Sequence, residues 1–315
     1  MVAMLIMAGS GIGLYIAFFN SNNIGISIPF ISKNDNNEIV DSGLLIVNHT
    51  HSHLEDFVVI PLEWINKSKE DLHIVYWHTS HGSQLTDGMD PLDEFMGNND
   101  TYEYNSAGSG GALHLNEPAS DDLTGNTNGF DDTTRTFLNA NPIYNVIIWS
   151  WCGLDTNNAS INAYLNNMNQ LESEYPNKTF VYMTGHLDGS GEEGDVHYYN
   201  ERIRSYCFTN NKTLYDFADI ESYNPDDENY LVQYANDECY YDGDGDGVLE
   251  QGGDDASYNW AQYWQINHNG VDTYYNGGEW YSCSCAHSEP VNGNMKAYGA
   301  WYLFARIAGW NGTLL

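Results

Sequence analysis

The stretch His73-Ile-Val-Tyr-Trp77-His-Thr-Ser80-His81-Gly82-Ser83 decides how this chain folds. Five apolar, β-prone residues run without alternation and then give way to a polar, glycine-containing turn. A strand of an antiparallel sheet with one wet face would alternate. A continuous run is the mark of a strand buried on both faces, as in a parallel sheet, handing over to a loop at its carboxyl end.

The same unit recurs downstream. Asn145-Val-Ile-Ile-Trp149 reads as a second strand and is followed by Ser150-Trp151-Cys152-Gly153. A helix is expected from about 159 to 174, with Ile161, Tyr164, Leu165, Met168 and Leu171 on one face and Pro176 as its stop. Thr179-Phe-Val-Tyr-Met183 is a third strand, ending in Thr184-Gly185-His186. A helix over about 196–206, a strand over 213–217 and a final helix over about 294–308 complete the alternation. Upstream, 53–72 reads as helix broken near Pro61. Strands alternating with helices predict an α/β fold, a three-layer α/β/α flavodoxin-like parallel sheet. Segments 86–142 and 220–292 show little periodicity and read as long insertions. Loops of that length are more often functional than idle.

Composition narrows the partners. The 315 residues hold 44 acidic and 10 basic side chains, a formal charge of −34. Nucleic acid is excluded, because binding it needs clustered Lys and Arg to displace counterions. An anionic membrane surface is a poor partner for the same reason, whereas divalent cations are favoured. Val2 to Phe19 is apolar and uncharged, close to the length that spans a bilayer. Residues 1–20 read first as an N-terminal anchor or signal-like helix, the only membrane contact expected. A filament-packing helix assembling through residues 2–19 is the second reading. Residues 21–42 read as a linker and 43–315 as the α/β domain.

The expected location is extracellular or cell-surface. Seven Asn-X-Ser/Thr sequons, at Asn48, Asn66, Asn99, Asn158, Asn177, Asn211 and Asn311, fit a glycoprotein. Five cysteines fit an oxidising compartment. Cys283 and Cys285 are too close in sequence for an easy mutual bridge, so each is expected to pair with Cys207 or Cys239, leaving Cys152 free.

In a parallel sheet, ligands bind where strand carboxyl ends converge. Ser80, Cys152 and His186 each follow a strand, and His287 lies just ahead of the last helix. A Ser activated by an imidazole suits nucleophilic catalysis, with glycine-loop amides around Gly108 and Gly110 stabilising an oxyanion. Glu289, Asp188 or Asp219 are candidates to orient His287. A weaker possibility is a metal held by His78, His81, His186 and Cys152. Trp77, Trp149 and Trp151 are candidates for a sugar cleft or for the core.

Asp242-Gly-Asp244-Gly-Asp246-Gly247-Val248-Leu-Glu250 reproduces the first nine positions of an EF-hand-like loop. The position of the bidentate Glu is Gly253, and Asp254 or Asp255 is the expected substitute. A structural Ca2+ is therefore expected within the insertion around 236–258, and no organic cofactor.

Taken together, the His-Thr-Ser80-His-Gly-Ser block, the glycine loop at 108–111, Trp149-Ser-Trp-Cys-Gly153 and His287 before an aromatic last helix resemble a divergent SGNH (GDSL-type) hydrolase over roughly residues 70–310. The resemblance implies Ser80 as nucleophile, His287 as base, and the Ser80 amide with Gly108 or Gly110 in the oxyanion hole. Two positions depart from the family: Cys152 stands in the place of an Asn donor, and Ser284 in the place of the Asp that orients the base. The expected function is an extracellular ester hydrolase, acting for example on acylated glycans. The alternative is a non-catalytic cell-surface or filament-forming glycoprotein.

Overall fold

A computed structural model describes residues 44–118, 121–249 and 258–313. Residues 43–315 form one compact unit. The N-terminal apolar run, the linker, and the candidate calcium ligands Glu250, Asp254 and Asp255 lie outside the described residues. Among the described residues no helix is long and apolar enough to cross a membrane.

The core is a seven-stranded sheet in which every pairing is parallel. Its strands are β1 (Leu45–Val47), β2 (His73–Trp77), β3 (Tyr104–Asn105), β4 (Leu113–Asn116), β5 (Val146–Trp149), β6 (Thr179–Met183) and β7 (Thr213–Tyr215), in the order β1-β7-β6-β5-β2-β4-β3. Within this, β4-β2-β5-β6-β7 has the flavodoxin-like arrangement. The uninterrupted apolar runs do sit buried on both faces.

Ten helices surround the sheet among the described residues: α1 (Leu54–Val58), α2 (Leu62–Asp71), α3 (Ser83–Met89), α4 (Leu92–Phe95), α5 (Phe130–Ala140), α6 (Asn158–Glu174), α7 (Asp195–Thr209), α8 (Phe217–Glu221), α9 (Trp260–Asn267) and α10 (Pro290–Ile307). On one face α10 packs against α1, α2 and α3; α5, α6 and α7 form the other layer. The α6 stripe of Ile161, Tyr164, Leu165, Met168 and Leu171 is buried as its spacing requires, each side chain contributing about 1.5–3 kcal/mol. The Asn157 side chain caps its first turn by accepting from the Ser160 amide. α10 starts with Pro290 and ends in a Schellman turn: Gly309 takes φ 112°, and the Trp310 amide donates to the Ala305 carbonyl at 3.0 Å. α3 approaches α10 so closely that a Cβ on Gly88 would strike the Gly293 carbonyl.

Several expectations are corrected. The strand expected over 213–217 stops at Tyr215, because Asp216 caps α8 by accepting from the Asp219 amide. The insertion 86–142 contains two strands, β3 and β4. That places Gly108 and Gly110 away from Ser80: they precede β4, whose His114 pairs with His73 at the start of β2. A Cβ on Gly108 would touch the His114 side chain. Ser80 follows the opposite end of β2, at least about 13 Å along the strand. These glycines cannot line an oxyanion hole there. Trp77, Trp149 and Trp151 are core residues, the first two stacked at 4.4 Å.

Candidate active site

Strand order reverses at β2, which has β4 on one side and β5 on the other. The crevice beyond the carboxyl ends of β2 and β5 is thus the expected ligand position. His81 follows β2 there and Cys152 follows β5.

His81 stands at the centre. Its Nε2 lies 2.8 Å from Asp237 Oδ2, and its Nδ1 lies 3.5 Å from Cys152 Sγ. A carboxylate only accepts, so Nε2 carries the proton and donates it to Asp237. The lone pair on Nδ1 then faces the thiol. Thiol, imidazole and carboxylate thus stand in line. Burial alone would push the Asp237 carboxyl up; the bond to His81 and the imidazoles of His186 and His81 outweigh it, and its pKa lies below the ordinary value.

Two more imidazoles sandwich His81: His186 stacks on it at 3.8 Å and 8°, His287 at 4.6 Å and 19°. His186 is fixed by its Nδ1, which donates to the Leu187 carbonyl at 2.6 Å. His287 and Ser80 are exposed and both have positive φ, 55° and 21°. Held in left-handed conformations without glycine's freedom, they carry strain of the kind found at functional sites.

Each part is held by a different loop. The hydroxyl of Thr124 accepts from the Cys152 and Gly153 amides at 3.1 and 3.0 Å, clamping the loop after β5 to the first insertion. The Asp237 amide donates to the Leu187 carbonyl at 3.2 Å, tying the second insertion to the β6 loop. Beneath them lies a buried ion pair, Lys296 to Glu221 at 2.9 Å. Lys296 also bonds Gln84, whose amide donates to the Ala286 carbonyl at 2.5 Å; Glu221 accepts from the Leu187 amide at 2.8 Å. One network therefore anchors the neighbours of His81, His186 and His287.

The serine expectation is not matched by this geometry. Ser80 Oγ makes no hydrogen bond to His287 or to any other described residue. None of the carboxylates considered for His287 reaches it: Glu289 accepts from Gln262 and Gln265, Asp188 from Ser190, and Asp219 is bound to His49. His78 is paired with Glu117 at 2.7 Å, apart from the stacked imidazoles.

All five cysteines are thiols, so the expected bridges of Cys207 or Cys239 with Cys283 or Cys285 are not formed. Burial pushes the Cys207 and Cys239 thiols well up, and Cys283 is raised by its bond to Cys285 and by burial. These three are poor nucleophiles.

His81, Asp237 and His287 offer ligand atoms within 4.8 Å of one another, the right donors for a transition metal. Ring geometry weighs against one. A metal sits in the plane of each imidazole that binds it, about 2.0–2.1 Å from nitrogen. Nearly parallel planes separated by stacking distance share no such point, so the rings would have to rotate.

In the acidic loop, Asp242, Asp244 and Asp246 present carboxylate oxygens within 4.8 Å of one another. Asp242 also accepts the Gly245 and Gly247 amides, each at 2.7 Å. Val248 follows with its amide on Asp246 at 2.9 Å. An all-oxygen donor set of this kind fits Ca2+.

No family model, curated protein or solved structure matches the chain. Fold and site together define an α/β protein with a Cys-His-Asp arrangement at a topological switch point, and function is argued from that arrangement.

Proposed function

We propose that this protein is an ester hydrolase of the covalent type, with Cys152 as nucleophile, His81 as general base and Asp237 as the residue that orients His81. The observation that carries it is the line of contacts from Cys152 Sγ through His81 to Asp237. The flavodoxin-like strand order supports the SGNH resemblance at the level of fold, and fold alone assigns no activity. The nucleophile moves from Ser80 to Cys152.

Cys152 Sγ attacks the acyl carbon as its proton passes to His81 Nδ1. The resulting C–S bond replaces the C–O bond of the ester, and the alcohol leaves with the proton from Nδ1. Water then attacks the thioester, giving a proton to His81; the C–S bond breaks and the thiol is restored. The Cys152 and Gly153 amides are occupied by Thr124. Ser80, with a free and exposed hydroxyl, becomes the donor to the oxyanion.

The test is hydrolysis of a nitrophenyl ester before and after alkylation by iodoacetamide. One equivalent on Cys152 abolishes turnover, and Ser80→Ala lowers it by about 10²-fold without abolishing it. Turnover that survives complete alkylation of Cys152 defeats the proposal.

An extracellular location is supported by six of the seven sequon asparagines being exposed, Asn48 alone being half-buried. A calcium ion on Asp242, Asp244 and Asp246 would brace the insertion that supplies Asp237.

A further inference from the structure

The fold sorts the charges of this chain by sheet edge. Among the described residues, the segments that meet at the carboxyl ends of the strands include 78–84, 117–118, 121–127, 150–157, 184–195, 235–249 and 282–289, and none of these contains a Lys or Arg. Carboxylates crowd the same edge. Asp188, Glu192, Glu193 and Glu238 are exposed, Asp155 is half-buried three residues beyond Cys152, and Asp237 touches His81.

Most of the described basic side chains lie elsewhere. Lys67 and Lys69 end α2 just before β2, Lys178 immediately precedes β6 and Lys212 immediately precedes β7, all at the amino edge. Lys178 is turned onto the carbonyls of Pro142 and Tyr144, and Lys212 onto Glu172. Lys296 is the basic residue beneath the site, and it is fully buried and neutralised by Glu221. Arg204 does reach the carboxyl edge, where Asp216 just after β7 holds it at 2.6 Å, and Arg202 is turned onto Asn158 and Asn162 of α6. Among the described residues no Lys or Arg bonds Cys152, His81, His186, His287 or Asp237.

From this separation we infer that the Cys152 site takes an acyl substrate carrying a positive charge, an amine or guanidinium near the acyl carbon, and turns away anionic ones. The inference rests on the proposed Cys152 mechanism and narrows its substrate class. Exposed carboxylates around a crevice focus a negative potential there, raising the local concentration of cations and lowering that of anions. A neutral acylated glycan gains nothing from this field; an amino-bearing ester gains in both capture and orientation.

The experiment compares three methanethiosulfonate reagents on the full chain: trimethylammonium-bearing, sulfonate-bearing and neutral. Modification of Cys152 is followed by peptide mass spectrometry at about pH 8, with rates normalised to those of a small neutral thiol. The cationic reagent is expected to modify Cys152 at least about tenfold faster than the anionic one at ~10 mM salt, the ratio falling below about twofold at ~0.5 M. The double variant Glu192→Lys with Glu193→Lys reduces the ratio at low salt. A normalised ratio near one at low salt overturns the inference while leaving the nucleophile in place. Failure of the neutral reagent to modify Cys152 removes the nucleophile itself, and the inference with it.

Discussion

Replacing Lys296 by Met tests whether the site rests on a buried charge network. Lys296 and Glu221 are both fully buried, 2.9 Å apart. Nζ also bonds Gln84 and lies 3.9 Å above the Phe217 ring, while Glu221 accepts from the Leu187 amide and from Asn292. Removing the ammonium leaves an uncompensated buried carboxylate, which costs about 3–5 kcal/mol. For a unit of this size that corresponds to a fall in melting temperature of roughly 6–20 °C. Urea denaturation followed by tryptophan fluorescence measures it, provided the transition is two-state. Adding Glu221→Gln to Lys296→Met recovers part of the loss, because the buried charge is gone. A single variant that loses less than about 1 kcal/mol would refute the reasoning, since the pair would then have to be solvated.

Two further outcomes are expected. Calcium at ~10 mM, against the ~10⁻⁴–10⁻³ M affinities of extracellular loops, stabilises the protein by about 1–3 kcal/mol; Asp242→Asn with Asp244→Asn abolishes the shift in melting temperature while Mg2+ gives little in either protein. His51, beside Tyr302 and bonded to Asn48, has its pKa lowered to about 4, chiefly by burial. Its unfolded form binds a proton at a higher pH than the folded one, so stability is lost as pH falls below about 6.5 and the loss is complete near the folded value, up to about 3 kcal/mol. His51→Gln flattens that part of the stability profile, and an unchanged slope contradicts the assignment.

The sheet was legible because β2, β5 and β6 are buried on both faces, and such strands advertise themselves as unbroken apolar runs. β4 was not: Leu113-His-Leu-Asn116 is four residues long, and two of them are polar. Missing it put Gly108 and Gly110 on the wrong edge of the sheet. The positions of Cys152 and His186 near one another follow from strand ends alone, and that of His287 from its place just ahead of α10. The role of His81 was available from the same logic, since His81-Gly82 after β2 faces Cys152-Gly153 after β5. Asp237 carried no local signal. It sits among many acidic residues in a long insertion, and pairings formed only in the folded chain bring it to the imidazole: its amide on the Leu187 carbonyl and the Asp188–Asn236 bridge beside it. The charge separation between the sheet edges was present in the sequence but unreadable until each loop had been assigned to an edge.

The most direct test is to mix the protein with nitrophenyl acetate, quench within one turnover in acid, and map the acetyl group by peptide mass spectrometry. A thioester on Cys152 that forms in Ser80→Ala and is lost in His81→Gln is the expected result. An acetyl ester on Ser80 that depends on His287 and persists in Cys152→Ala would contradict it.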